Sequence, residues 1–215
     1  MIEKVVIEFM GLPGSGKTTI CNALVSRLQF MEKNLSKSRA RSYLDLIASV
    51  VLILRTKKAR RLFFDSHSWF YRERILVFVR WCVRLRRASR PQVIDQGPLQ
   101  AIWAACEAGA VPKDSVSWLV ETLYPFNKIN VIVWVDCAPG MAASRLLDRV
   151  EHGGNRTLFD GRKECEVAHA FEVASPIYER LAATLARNGA KVVRLCGSEE
   201  VLINLEKILD CAKTN

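Results

Sequence analysis

Near the N-terminus, Gly11 Leu12 Pro13 Gly14 Ser15 Gly16 Lys17 Thr18 constrain this chain more than any other feature, because they fit the pattern G-x-x-x-x-G-K-[ST]. The pattern carries meaning only between a strand and a helix, and both flanks are legible. Residues 5–10 form a short, mostly apolar run rich in β-branched side chains, the mark of a buried parallel strand. Residues 18–28 repeat Ile20, Leu24 and Leu28 at helical spacing. In that setting the glycines let the backbone wrap closely around phosphate oxygens, and the helix presents its positive N-terminal end. Lys17 can bridge β- and γ-phosphates, and the Thr18 hydroxyl can ligate Mg²⁺. The competing reading is an ordinary glycine-rich turn. With Gly at about 7 percent of residues, the bare pattern arises by chance in roughly one chain in a hundred, and correct placement lowers that again.

Downstream, strand signals stand at Val93–Ile94 before Asp95, at residues 129–135 before Asp136, and at residues 191–195 before Cys196. Helical stretches separate them at residues 98–108, 115–123, 139–150, 164–188 and 199–212. Such alternation implies a parallel sheet covered on both faces. The expected architecture is therefore an α/β three-layer sandwich of the P-loop NTPase kind, with a five-stranded parallel sheet. Its second strand has only a weak signal, at residues 37–42. No repeat, low-complexity tract or linker divides the chain, so residues 1–215 are expected to form one domain.

Of the 215 residues, half are hydrophobic, ample for a sizeable core, and the net charge is +10. That charge is concentrated: residues 36–90 hold 15 Lys or Arg against Asp45, Asp65 and Glu73. This stretch reads as a basic helical insertion suited to an anionic ligand, a nucleic acid or an acidic membrane face. Within residues 69–87, Glu73, Arg80, Arg84 and Arg87 form one polar stripe on an otherwise apolar helix. It is either the wet face of a core helix or a row of arginines lining an acceptor pocket. The seven scattered cysteines lack zinc-site spacing and read as buried, reduced thiols. No apolar run reaches membrane-span length and no charged-then-apolar leader opens the chain, which argues for a cytoplasmic protein.

With these motifs in order, the chain resembles the P-loop nucleoside and nucleotide kinases, the thymidylate kinase group above all. The resemblance rests on residues 5–28, on Val93 to Pro98, and on the strand, acidic turn and arginine-bearing helix from Val131 through Arg145 and Arg149. It continues through Gly153 Gly154 Asn155 Arg156 Thr157 Leu158 Phe159, then Tyr178 and Leu181. It implies that residues 150–165 form a lid closing over ATP. The nucleotide and Mg²⁺ would then be held by Gly11, Pro13, Gly14, Ser15, Gly16, Lys17, Thr18 and Thr19, with Thr18 and Asp95 serving the metal.

Catalysis, on the same resemblance, falls to Lys17, Asp95, Arg149 and Arg156, with Arg145 and Arg162 as further phosphate candidates. A guanidinium stabilises the charge spread over the equatorial oxygens of a phosphoryl group in transfer. The alternative is that these arginines are solvated residues of a helix end and a loop. Asp95 could instead be a helix cap or a turn former, Asp136 a helix cap, and Gly153 with Gly154 a hinge or a helix end. Thymidylate kinases usually follow the acid with Arg, where this chain has Gln96, so acceptance of a monophosphate would need charge from elsewhere. The expected activity is ATP- and Mg²⁺-dependent phosphoryl transfer to a nucleotide, nucleoside or other small metabolite. A nucleotide-dependent switch or ATPase binding a protein or nucleic acid is the rival, though no GTPase-type NKxD is present. A small-molecule acceptor is favoured over a nucleic acid as partner; peripheral membrane contact and a homodimer are the remaining readings.

Overall fold

The apolar run before Gly11 becomes β1 (Val6–Met10), every residue of which is buried. The computed structural model describes residues 6–28, 32–33, 39–66, 68–88, 90–129, 131–152, 159 and 161–213. After β1 come α1 (Lys17–Arg27), β2 (Glu32–Lys33), α2 (Arg39–Arg55), α3 (Lys57–Asp65), α4 (Trp69–Arg86), β3 (Gln92–Ile94) and α5 (Pro98–Glu107). Then follow α6 (Val116–Leu123), β4 (Val131–Asp136), α7 (Pro139–Glu151), α8 (Glu164–Arg187), β5 (Lys191–Cys196) and α9 (Val201–Lys213).

The strands are parallel and lie in the order β2-β3-β1-β4-β5. Four of them make the body of the sheet; β2 is a two-residue edge pairing with Gln92 and Val93. The strand expected at residues 37–42 is not where the edge forms. Arg39 to Ser42 belong to α2, while residues 37 and 38 lie outside the described residues. That stretch alternates basic residues with Ser or Ala and has no large apolar side to bury, whereas the apolar spacing that follows it carries the helix back over it.

Alternation along β1 divides the core. Ile7 and Phe9 face α1 and α9 together with Val93, Val133 and Leu195; Val6 and Met10 face the opposite layer of α4 to α8. Phe9 and Phe171 are fully enclosed, and each such side chain contributes about 1.5–3 kcal/mol by leaving water. Because β1 lies between β3 and β4, the chain runs outward from it in both directions. The carboxyl ends of β1, β3, β4 and β5 therefore open into one crevice, the place where an open parallel sheet binds ligands.

The basic segment is helical, as expected. α4 buries Ile75, Phe78, Val79, Cys82, Val83 and Leu85 against the core. The polar stripe has a structural task at two positions: Arg84 Nε donates to Asp45 at 3.0 Å, and Arg87 Nη1 donates to the other carboxylate oxygen at 2.9 Å. These bonds clamp α2 onto α4. The thiols differ from expectation. Cys82, Cys106 and Cys137 are buried, but Cys165 and Cys196 are exposed.

Candidate functional site

Between β1 and α1 the backbone turns through Gly14 with φ +82° and Gly16 with φ +94°, both in the left-handed region that favours glycine. At Gly14 a Cβ would also run into the carbonyl oxygen of Ala142 on α7, so the loop is pressed against that helix. Ser15 N donates to Leu12 O at 3.1 Å and closes the turn. Lys17 Nζ folds onto the loop, donating to Gly11 O and Leu12 O at 2.7 Å each and approaching Ser15 Oγ at 3.4 Å. Burial pushes the Lys17 amine down to about 7; the negative charge of Asp95 opposes this and Arg149 adds to it.

Asp95, at the end of β3, meets the loop from across the sheet. Thr18 Oγ1 donates to its two carboxylate oxygens at 3.2 and 3.0 Å, over a sequence distance of 77 residues. Helix α5 is capped by Gly97 instead, so the cap alternative for Asp95 does not hold. Asp136 neither caps α7, whose cap is Ala138, nor faces Thr18: its carboxylate accepts from Arg194 Nη2 at 2.6 Å on the neighbouring strand.

The loop opens onto a cavity of about 1030 Å³ that takes in residues 13–19; Asp95 lies behind Thr18 and, like Asp136, is not among its lining residues. On one side stand Arg145, Arg149 and the turn Gly197–Glu199; on the other Gln96, Gln100, Trp103, Ala104 and Phe159. Arg145 Nη1 donates to Gly197 O at 2.9 Å. Arg162 lies over the ring of Phe159, 5.5 Å from its centroid, and does not line the cavity. Arg156 and most of the expected lid, residues 153–158 and 160, lie outside the described residues. Among the described residues, none from the basic segment 39–90 lines the cavity.

Three participants were not legible as such. Tyr178 on α8 donates its hydroxyl proton to Gly11 O at 2.7 Å and lies 3.2 Å from Gln100 Oε1, joining the loop to the opposite wall. Trp103 stacks on Tyr178, with centroids 5.6 Å apart and planes 17° from parallel, and its buried Nε1 has no hydrogen-bond partner among the described residues. Helical periodicity marks both aromatics only as core.

The third is Glu8, which lies within β1 and is fully enclosed. Its carboxyl accepts from Leu99 N at 2.8 Å, in the first turn of α5, and from Tyr124 Oη at 2.6 Å. It thereby holds the turn Gln96–Leu99 next to Asp95, and a Cβ at Gly97 would collide with it. A carboxylate in the middle of a buried strand is the signal that could have found it.

Desolvation raises the Glu8 carboxyl from 4.5 to about 8, against the lowering effect of its two hydrogen bonds. Between those values the folded chain keeps a proton that the unfolded chain has lost. The stabilisation is complete below 4.5 and is lost as pH rises through about 8, at up to about 1.4 kcal/mol per pH unit. Glu8→Gln copies the neutral acid and should flatten denaturant-midpoint profiles across that window. Parallel profiles for the two proteins would show that Glu8 is not held neutral.

No family model matches this chain, and no curated protein sequence does. Solved structures share its fold. The deoxyadenosine kinase from M. mycoides with bound dCTP aligns with a TM-score of 0.57 at 14% identity, over 98% of this chain and 100% of that one. The same enzyme with products dCMP and a flexible dCDP aligns at 0.58 and 14% identity, over 98% and 100%. With dATP bound it aligns at 0.54 and 15% identity, over 96% and 98%.

Proposed function

We propose that this chain is an ATP- and Mg²⁺-dependent phosphotransferase whose acceptor is a small molecule carrying a planar base, a nucleoside or nucleotide. The observation that carries the proposal is the meeting of Thr18 and Asp95 at 3.0–3.2 Å, which gathers hard oxygen donors beside the phosphate loop. Mg²⁺ is held by one or two such protein oxygens plus substrate phosphates, so these residues suit it. When bound, the ion would neutralise charge on the β- and γ-phosphates. Residues 13–19 would cradle the nucleotide phosphates, Lys17 would turn outward onto them, and Arg145 and Arg149 would face the transferred group. Residues 150–165, with Arg156, would act as the lid, and residues 1–215 as one catalytic domain.

The acceptor class follows from the other wall. Trp103 and Phe159 offer apolar faces, Gln96 and Gln100 offer amides, and Trp103 Nε1 is a donor awaiting an acceptor atom. A flat heteroaromatic base has the face and the edge atoms to satisfy both. The neighbours of similar fold are named as deoxyadenosine kinases, which agrees with this choice.

Thermal or denaturant unfolding with an ATP analogue and Mg²⁺ tests the reading, with nucleosides, nucleoside monophosphates and sugars as second ligands. At a hundredfold excess over Kd each true ligand should add about 2.7 kcal/mol. Nucleosides or their monophosphates should give a second increment and sugars none. A sugar-only increment would remove the base from the proposal. No increment from any ATP analogue would remove the kinase assignment.

A further inference from the structure

Helix α2 is amphipathic with its apolar face turned the wrong way for a core. Tyr43, Leu44 and Ile47 are 71%, 58% and 61% exposed, and Val50, Val51 and Leu54 continue the row at helical spacing. Together they expose roughly 500 Å² of apolar surface, near the upper end of what an ordinary surface patch shows. The opposite face of the helix is buried through Asp45, Ser49 and Ile53.

What covers this row is indicated by charge. Asp45 is the helix's one acid, and it is turned inward and neutralised by Arg84 and Arg87. Beside the row lies a cleft of about 350 Å³ in which Val51, Leu52 and Val83 meet Arg55, Arg86 and Arg87; of these Arg86 donates to Leu123 O at 2.9 Å and Arg87 to Asp45. Arg55 has no ion-pair partner among the described residues. Residues 39–90 as a whole hold 14 Lys or Arg against three acids. A second copy brought face to face on α2 would set two strongly positive segments together, which opposes that assembly. Among the described residues no helix is long and apolar enough to cross a membrane.

We propose that α2, with Arg55 at its end, forms a docking surface for an anionic phospholipid bilayer. The helix lies in the plane of the interface. Its row from Tyr43 to Leu54 enters the boundary between headgroups and acyl chains, and Arg55 at the end of the row engages lipid phosphate while its stem covers apolar surface. The surface is separate from the phosphate-loop cavity and goes beyond the kinase reading without depending on it.

Vesicle flotation of the full chain tests the proposal, comparing pure phosphatidylcholine with vesicles containing about one-third phosphatidylglycerol. The chain should float with the anionic vesicles, much less with the neutral ones, and added salt should weaken binding. Ile47→Glu and Arg55→Glu are surface changes that should each weaken flotation about tenfold or more with unchanged unfolding midpoints. Lys17→Ala should float like wild type. Equal binding to both vesicle types, binding to neither, or wild-type flotation by both glutamate variants would overturn the proposal. So would a dimer in solution that Ile47→Glu converts to monomer, since the row would then be covered by a second copy.

Discussion

Lys17→Ala should lower phosphoryl transfer by roughly 10²- to 10³-fold, because the ammonium sits on the loop itself, bonded to Gly11 O and Leu12 O, where it would turn onto the phosphates. The fold should survive. Lys17 makes its bonds to carbonyls of its own loop, and the buried ammonium is itself unfavourable, as its depressed value of about 7 records. Between about 7 and 10.5 the folded chain gives up a proton that the unfolded chain keeps, so this residue's cost to stability is relieved as pH rises. Phosphates arriving beside Lys17 favour its charged form, so nucleotide binding should take up a proton near neutral pH and weaken as pH rises through 7. Calorimetric titrations in buffers of different ionisation enthalpy read that proton directly, and the uptake should vanish in Lys17→Ala. A variant with full turnover would end the phosphate-loop assignment.

Asp95→Asn should have the second large effect, and its size should depend on the acceptor. A hydroxyl acceptor must lose its proton during transfer, and on the proposed reading the carboxylate at the end of β3 would take it. Removing that base costs roughly 10²-fold in kcat. A phosphate acceptor is already ionised, so there the loss should be smaller and should shift with Mg²⁺ concentration through the bond to Thr18. The asparagine keeps the shape and can still accept from the Thr18 hydroxyl, so ATP binding should be largely retained. Gln96→Arg, which supplies the positive charge usual in thymidylate kinases, should improve a weak monophosphate activity. If Asp95→Asn leaves every acceptor's rate unchanged, Asp95 has no chemical role. Asp136 is a poor substitute, because its carboxylate is already engaged by Arg194.

The phosphate loop, four strands of the sheet and the helices that follow them were legible in the sequence because each rests on local information. A glycine-rich turn needs particular φ angles, and a buried strand or helix announces its periodicity within a few residues. The edge strand was misplaced because two residues at Glu32–Lys33 carry too little pattern to be recognised, and their pairing with β3 is a tertiary fact. The polar stripe on α4 was legible as a stripe; that Arg84 and Arg87 spend their charge on Asp45, away from the phosphate-loop cavity, was not. Pairwise electrostatics depends on distances between segments that sequence spacing does not contain. By itself the sequence determined that a glycine-rich loop of the phosphate-cradle pattern lies between a strand and a helix. Only the tertiary structure decided that Asp95 closes on Thr18, that Trp103, stacked on Tyr178, builds the opposite wall, and that Glu8 is enclosed beneath the Asp95 turn. Those groups are brought together by the order β3-β1-β4, which sets the carboxyl ends of strands far apart in sequence side by side.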